Sequence, residues 1–324
     1  MRDAPWVHVL GSMMIDRVVR VRAIPRPGET VAARSSAVYA GGKGANQAAA
    51  AARCGARVRM LGRTGADGAF IVEALRAAGV DVRAVRTDDA VSGAATVMVS
   101  DAGENAIVIA SESNTRISCA DIDAFLASAE AGEFVLLQNE CAQLEHAIGA
   151  SRARGLRVWL NAAPADAALA RLPLELLDGL VVNETESEAL TGCAEPARAL
   201  EALAARMPDA TVIVTLGAAG AIAALGSRRF AHAGFVVDAV DTVGCGDAFV
   251  GAYLAGIAGD CGIDEALRRG NAAGALAAMR AGAMPSLPDR AEVDAASRVE
   301  ERGRLVLRES AGNAAIDAAS ERTT

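Results

Sequence analysis

The chain has 324 residues, close to the upper limit for one hydrophobic core, so we expect one large domain. Hydrophobic residues make up 52% and charged residues 22%, which excludes disorder as the main state. The net charge of −8 argues against nucleic acid or an anionic membrane as the main partner. No apolar run reaches the ~18 residues of a membrane-spanning helix, and no secretion signal is evident at residues 1–10.

Cysteine and lysine usage narrow the class of protein further. The six cysteines are scattered without a Cys-x-x-Cys pair, and with three histidines they give no zinc-site spacing. This pattern predicts reduced thiols in a cytoplasmic protein. The chain contains a single lysine, Lys43, which lies within a glycine-rich segment.

Short apolar segments alternate with alanine-rich helical segments along the chain. The predicted strands are Val7–Leu10, Val58–Leu61, Phe134–Gln138, Leu156–Asn161, Leu180–Asn183 and Val212–Leu216. The predicted helices are Ala45–Arg53, Ala69–Ala77, Ala142–Ala153, Glu184–Leu190, Pro196–Arg206 and Ala248–Ile257. This alternation predicts an α/β fold, a three-layer sandwich whose mainly parallel central sheet has helices on both faces. Ligands of such folds bind beyond the carboxyl ends of the strands.

Two segments, about 17–39 and 92–110, break this alternation with short β-branched runs and turn residues. Residues 96–109 have the pattern of a β-hairpin, so we expect a small second sheet there. We assign residues 1–300 to the main domain. Residues 301–324 are charged and weakly periodic, which predicts a polar tail or frayed helix.

The segment Asp241–Phe249 carries the strongest chemical signal. Gly244 and Gly246 are expected at a strand-to-helix turn, because β-prone residues at 236–240 precede them and an apolar helix follows. Free N–H groups at such a helix N-terminus attract an anion. Asp247 in the same turn is therefore placed to abstract a proton beside an anion site. The alternative is an acidic residue that merely stabilises the helix dipole.

A second glycine-rich segment, Gly-Gly-Lys-Gly-Ala-Asn-Gln at 41–47, precedes a predicted helix. It is not a phosphate-binding Walker A loop, because Ala37 replaces the first required glycine and Gly44 replaces the Ser/Thr. Its glycines allow a ligand to lie against the backbone. Lys43 and Asn46 offer donors and an acceptor suited to hydroxyl groups.

Polar or glycine-rich residues also follow several predicted strands. They are Asp16, Glu140, the stretch 183–186 and the stretch 215–220. Each alone is equally typical of a cap or a turn. Because the carboxyl ends of parallel strands share one edge of the sheet, together they predict a site for phosphate and hydroxyl groups.

In this order the motifs resemble the ribokinase branch of the PfkB-type carbohydrate kinases. The motifs are Gly-Ser-x-x-x-Asp, Gly-Gly-Lys-Gly-Ala-Asn, Asn-Glu-Thr-Glu, Thr-Leu-Gly-x-x-Gly and Asp-Thr-Val-Gly-x-Gly-Asp, and the match extends from about residue 7 to 288. The resemblance implies a ribokinase-like fold with a small β lid. It also implies ATP-dependent phosphorylation of a sugar hydroxyl and a homodimer formed through the lid.

The resemblance further implies a role for individual residues. Asp247 would be the catalytic base, beside an anion hole made by Gly244, Cys245 and Gly246. The sugar would contact Met14, Asp16, Gly42, Lys43, Asn46, Glu140 and Asp247. ATP would lie against Asn183, Thr215, Leu216, Gly217, Ala218, Ala219, Gly220, Gly246 and Asn271. Mg²⁺ would be ordered through water by Glu186, and K⁺ would take oxygens from Asp241, Val243, Ala277, Arg280, Gly282 and Ser286.

Two residues depart from the pattern of that branch. Met14 stands where asparagine is usual, and a thioether cannot replace the hydrogen bonds of an amide. We therefore expect a sugar with an apolar or absent group at that position to be preferred to ribose. Cys245 stands where alanine is common; a first-turn cysteine is either an activated thiolate or a buried, inert thiol. A nucleoside kinase and a non-catalytic sugar-binding regulator are the alternatives for the whole chain.

Overall fold

The structure, a computed structural model, describes residues 4–140, 142–165, 169–299, 304–308 and 315–318. Its strands are β1 Trp6–Leu10, β2 Met14–Val21, β3 Ser35–Gly41, β4 Arg57–Leu61, β5 Arg63–Gly65, β6 Arg86–Asp88, β7 Gly93–Ser100, β8 Asn105–Ala110, β9 Phe134–Gln138, β10 Arg157–Asn161, β11 Gly179–Asn183, β12 Thr211–Thr215, β13 Ala221–Leu225, β14 Arg228–His232, β15 Leu305–Arg308 and β16 Ala315–Ala318. Its helices are α1 Lys43–Arg53, α2 Ala69–Ala77, α3 Cys119–Leu126, α4 Leu144–Ala153, α5 Glu184–Thr191, α6 Pro196–Arg206, α7 Cys245–Ala258, α8 Ile263–Ala278 and α9 Arg290–Ala296.

The main sheet has eight strands in the order β14-β13-β12-β11-β10-β9-β1-β4. Strands β4, β1, β9, β10, β11 and β12 are parallel, and β13 and β14 add an antiparallel edge. The expected α/β fold with a mainly parallel sheet is therefore confirmed. All six parallel strands direct their carboxyl ends to one edge, which is where the predicted polar residues follow them.

Helices cover both faces of this sheet, because its central strands are apolar on both sides. In β9, Phe134 and Leu136 pack into one core with α1, α2, α7, α8 and α9, while Val135 and Leu137 pack into the other with α3, α4 and α6. Continuous apolar runs of this kind are typical of strands buried between two helical layers. Within the described residues, no helix has both the length and the apolar character needed to cross a membrane.

Helices α1 and α7, which both begin at the edge that carries the polar residues, approach each other closely. A Cβ atom added at Gly251 of α7 would lie 2.4 Å from Ala50 Cβ and 2.7 Å from Ala51 N on α1. Only a glycine permits this spacing, so small side chains hold the N-termini of the two helices in a fixed relation.

A second, four-stranded sheet has the order β3-β2-β7-β8. Its strands occupy the two segments that broke the helical alternation, and β7 and β8 form the expected antiparallel hairpin. Strand β2 leaves the main domain three residues after β1 ends. This sheet is the lid, and it stands beside the carboxyl edge of the main sheet.

Two expectations about local structure are wrong. Residues 236–240 do not form a strand before α7; Val240 and Asp241 donate their N–H groups to Ala278 O, at 2.7 and 3.1 Å, in place of a strand partner. The described part of 301–324 is not helical, because β15 and β16 pair as antiparallel strands. Leu305 is buried in the main core and donates its N–H to Val236 O.

Candidate active site

The sugar-side residues of the candidate site meet where β1, β3 and β9 end. Ser12 Oγ donates a hydrogen bond to Glu140, which holds this carboxylate beside the start of α1. Lys43 Nζ lies 3.8 Å from Glu140 Oε1, and the Lys43 N–H donates to Glu140 Oε2 at 3.4 Å. Asp16, on β2 at the base of the lid, faces the same space.

Gly42 caps the N-terminus of α1 in a left-handed conformation, with φ of 92°. A Cβ there would lie 2.8 Å from both Met14 N and Ser12 O, so the glycine allows the β1–β2 and β3–α1 connections to touch. This contact brings Lys43 and Asn46 of α1 next to Asp16.

Asp247, in the first turn of α7, is held by two amides of α1. Asn46 Nδ2 donates to Asp247 Oδ2 and Gln47 Nε2 donates to Asp247 Oδ1, both at 2.9 Å. Burial raises the pKa of Asp247, while the Lys43 charge and these two amides act in the opposite direction. A carboxylate with a raised pKa and fixed orientation has the properties of a general base.

The site concentrates charge in a small volume. Burial, followed by the charges of Asp247 and Glu140, raises the pKa of Asp16 to about 7. Burial alone would lower the pKa of Lys43, but the charges of Asp247, Glu140 and the more distant Glu186 outweigh it and raise that pKa. The ammonium of Lys43 therefore stays protonated between the carboxylates.

The N-terminus of α7 has the geometry of an anion site. Gly244 caps the helix with φ of 83°, and a Cβ there would lie 2.9 Å from Ala283 Cα. Gly246 differs, because a Cβ at this position would meet nothing within 4 Å. Protein packing therefore does not require a glycine at 246, and the open space beside it suits a phosphoryl group bound to the helix N-terminus.

The expectation of an activated Cys245 is wrong in direction. Burial, with the charges of Asp241 and Asp247, raises the pKa of the Cys245 thiol to about 11. The dipole of α7 does not overcome these effects, so the thiol stays protonated. The Cys245 N–H already donates to Thr242 O at 3.3 Å, within the turn that begins the helix.

Three cavities adjoin these residues. One of about 700 Å³ lies between the lid and the 239–243 and 282–283 loops, with Asp16, Val18 and Tyr39 among its lining residues. Another, of about 500 Å³, lies beside the antiparallel edge of the main sheet. Its walls are formed by Thr215, Gly217, Ala218, Gly220, Gly234, Phe235, Val236, Val237, Ala239, Thr242, Cys245, Gly246, Phe249, Asn271, Gly274, Ala275 and Ala278.

The third cavity, of about 180 Å³, is lined both by residues expected to bind the sugar and by residues expected to bind ATP. It is lined by Lys43, Asn161, Ala163, Val181, Val182, Asn183, Glu186, Thr215, Gly244, Gly246, Asp247 and Val250. The base, the single lysine and the helix N-terminus thus share one small space. Gly246 and Thr215 line both this cavity and the larger apolar one, so the two cavities adjoin at these residues.

Only some of the residues expected to bind nucleotide line the 500 Å³ cavity. Leu216 and Ala219 do not line the 500 Å³ cavity; Leu216 packs against the core on the far side of the sheet. Asn271 does line it, and its Nδ2 donates to His232 O at 3.0 Å. Asn183 and Glu186 form a capping box at the start of α5, in which each side chain accepts the other's backbone N–H.

The loops expected to bind K⁺ are in direct contact. Asp241 Oδ1 accepts the Val243 N–H at 3.0 Å, and Asp241 Oδ2 accepts the Gly282 N–H at 2.9 Å. Ser286 Oγ, which is buried, donates to Ala283 O at 2.7 Å. The Ala277 carbonyl accepts the Arg280 N–H at 3.1 Å. The donor set is carboxylate, carbonyl and hydroxyl oxygen, which suits a hard cation.

Met14 is the first residue of β2 and is 2% exposed. Alternation along β2 places it on the same face as Asp16 and Val18, both of which line the lid cavity. Met14 itself is not among the residues that line that cavity.

Sequence reasoning missed a set of buried polar residues behind the site. They are Ser12, Gln47, Gln138 and Asn161. Gln47 and Gln138 were visible as amides directly beside recognised motif residues, which was the available signal. The hydrogen bonds that join these side chains to one another, to Glu140 and to Asp247 span 91 to 200 positions in the chain, so only the packed structure reveals them.

A small cavity that holds a carboxylate, a lysine and a helix N-terminus, next to a larger apolar cavity, is the arrangement expected of a phosphotransferase. The model of the pfkB family of carbohydrate kinases matches residues 6–290, and the chain belongs to this family. A ribokinase from Haemophilus influenzae is 35% identical over 293 residues, 88% of this chain and 95% of the relative. A deoxyribokinase from Salmonella typhi is 35% identical over 257 residues, 76% of this chain and 84% of the relative.

Among solved structures, Arabidopsis thaliana ribokinase complexed with ribose and ATP matches with a TM-score of 0.82 and 31% identity, covering 92% of this chain and all of that one. These comparisons confirm the expectation of an ATP-dependent carbohydrate kinase.

Proposed function

We propose that the protein transfers the γ-phosphoryl group of ATP to a hydroxyl of a free pentose, with ribose as the first candidate. The observation that carries this proposal is the position of Asp247 in the small cavity between the hydroxyl-binding residues and the N-terminus of α7. Ribose is favoured by the ribokinases that cover most of the chain at 31–35% identity.

In the proposed reaction Asp247 takes the proton of the acceptor hydroxyl. The freed oxygen attacks the γ-phosphorus, the bond to the β-phosphate oxygen breaks, and ADP leaves. Lys43 and the N-terminus of α7 offset the negative charge on the transferring group. Such a reaction needs positioning and charge neutralisation more than covalent help from the protein.

A second candidate acceptor is 2-deoxyribose. Met14 lies buried on the face of β2 that carries Asp16, and a thioether is a poor partner for a hydroxyl. A pocket that lacks a polar partner for one hydroxyl gains little from its presence. The deoxyribokinase relative makes this sugar a specific alternative.

The test is ADP release by the full chain with ribose, 2-deoxyribose, a hexose and a nucleoside. We expect the two pentoses to have the highest kcat/KM. Preference for the nucleoside would overturn the proposed acceptor class, and absence of ADP release with every acceptor would overturn the activity.

We further propose that Mg²⁺ and K⁺ assist. When bound with ATP, Mg²⁺ neutralises phosphate charge, and Glu186, which lines the small cavity with Lys43, would hold one of its waters. K⁺ would sit between Asp241 and the 277–286 loop, where it adds positive charge behind the N-terminus of α7. The Gly282 N–H donates to Asp241 Oδ2, so the two loops that would supply these oxygens are in contact.

We propose a homodimer through the lid and a cytoplasmic location. Strand β8 is an edge strand that exposes Ile107, Val108 and Ile109, and a second copy would cover this apolar surface. Sedimentation velocity of the full chain tests the dimer. The cysteines in the described residues are free thiols, as a reducing compartment favours.

A further inference from the structure

Gln47 lies directly behind the proposed base and is fully buried. Its Nε2 donates to Asp247 Oδ1 and to Asn161 Oδ1, both at 2.9 Å. Its Oε1 accepts the Nε2 of Gln138 at 2.9 Å. Both N–H groups and the oxygen of this amide therefore have partners, and the partners come from α7, β10 and β9.

These partners permit only one orientation of the Gln47 amide. Rotating it by half a turn would place its oxygen against two acceptor oxygens and its NH₂ against the NH₂ of Gln138. Asn161 is fixed in the same way, because its Nδ2 donates to Val181 O on β11 at 3.2 Å. The network is thus anchored to the backbone of the main sheet.

We propose that Gln47 is a positioning residue that fixes the carboxylate plane of Asp247, with Gln138 and Asn161 holding Gln47 in place. The proposal rests on the proposed function, in which Asp247 is the base. Asn46, the preceding residue of α1, holds the other carboxylate oxygen. Gln47 has no exposed surface, so it cannot contact the substrate and acts on the base through its bond to Asp247.

The same bond affects the charge of the base. An N–H donor favours the ionised form of a carboxylate, so loss of Gln47 should raise the pKa of Asp247 further. The charged groups facing Asp247 are Lys43 of α1, which opposes that change, and Glu140 and Asp16, which favour it. Cys245, on the same turn of α7, is a neutral thiol and contributes no charge.

The test compares the pH profiles of wild type, Gln47→Met and Gln47→Glu. Met removes every hydrogen bond at similar length, and Glu keeps the shape but replaces the donor to Asp247. In both variants we expect the acidic limb of the plot of kcat/KM against pH to move to higher pH by about one unit. We also expect kcat at pH 7 to fall about tenfold or more. The KM for ATP should not change. Gln138→Met should shift the limb in the same direction by less.

A second comparison separates positioning from general structural damage. In the Asp247→Asn background, Gln47→Met should cause no further loss of turnover, because its effect passes through the missing carboxylate. Equal losses in both backgrounds, or an unshifted acidic limb in folded Gln47→Met, would overturn the proposal. Normal turnover by Asp247→Asn alone would instead overturn the proposed function.

Discussion

Asn46 and Asp247 are joined by a 2.9 Å hydrogen bond between the first turns of α1 and α7. Among the described residues, no hydrogen-bond partner faces the buried Asn46 Oδ1. In the proposed reaction the same side chain would hold the base with its nitrogen, and its oxygen would be left to accept a hydrogen bond from a substrate hydroxyl.

The first prediction concerns the base itself. Asp247→Asn should fold normally and bind ATP, because the nucleotide cavity does not include the carboxylate. Turnover should fall about 10²–10⁴-fold, the usual contribution of a general base. Steady-state ADP release, with nucleotide binding and thermal unfolding as controls, measures this; a folded variant with near-normal kcat would contradict the assignment.

Alanine substitutions at Gly246 and Gly244 form a matched pair of variants, one expected to affect turnover and the other stability. Gly246→Ala should leave stability unchanged, because its Cβ meets no atom within 4 Å, yet lower turnover by occupying the space beside the helix N-terminus. Gly244→Ala should lower the free energy of unfolding by about 1–3 kcal/mol, because it combines left-handed backbone with a contact at 2.9 Å. Urea unfolding and kcat distinguish them; normal turnover in Gly246→Ala would show that no ligand uses that space.

Met14 should influence the choice of sugar. Met14→Asn should raise kcat/KM for ribose about fivefold, corresponding to ~1 kcal/mol for one neutral hydrogen bond. The same change should give 2-deoxyribose no advantage. Wild type and variant are compared on both sugars; if ribose is the better substrate of wild type and the variant gains nothing, Met14 does not set specificity.

Asp16 should make the stability of the sugar-free protein depend on pH. Its pKa is about 7 in the folded state against 3.8 in the unfolded chain, so the folded state binds the proton more tightly. The free energy of unfolding should therefore fall as pH rises from about 4 to 7, by on the order of 1–3 kcal/mol, and level off above that.

In Asp16→Asn this pH dependence should be absent, and sugar binding should be lost. Urea unfolding of both proteins across that pH range measures the difference. Parallel stability curves would show that Asp16 is already ionised in the sugar-free state.

K⁺ should raise kcat above the value in Na⁺ or Tris at constant ionic strength. The reason is the contact between Asp241 and the Gly282 N–H, which places the oxygen-rich loops behind the N-terminus of α7. Asp241→Asn should weaken this response. Equal kcat values in K⁺, Na⁺ and Tris would show that K⁺ does not assist the reaction.

The sequence predicts those parts of the site whose roles depend on residues that are neighbours in the chain. The 244–247 turn and the 41–46 loop carry glycine, acid and amide residues whose roles follow from neighbours in the chain. Gln47 could not be assigned, because the close approach of α1 and α7 at Gly251 brings Asp247 to it. Gln138 could not be assigned, because its partner Gln47 lies 91 positions earlier in the chain. For Cys245, burial is the largest cause of the raised pKa, and local sequence does not show it; the nearby carboxylates of Asp241 and Asp247 add to it.

The fold was predictable where strands are apolar on both faces, as in β9, since such runs are typical of strands buried between two helical layers. Residues 236–240 are also mainly apolar, but they do not form a buried strand. They line the lid and nucleotide cavities, with Val236 and Val240 exposed in the absence of ligand. Apolar composition alone does not distinguish a cavity wall from a buried strand.

Because the chain has a single lysine, side-chain amine chemistry is confined to one position. An acylating or reductive-alkylating reagent that modifies a side-chain amine of this chain can do so only at Lys43, beside Glu140 and Asp247. One modified peptide therefore reports occupancy of the site, without the background that other lysines give. Its raised pKa keeps the amine protonated near neutral pH, so such labelling is best carried out at alkaline pH.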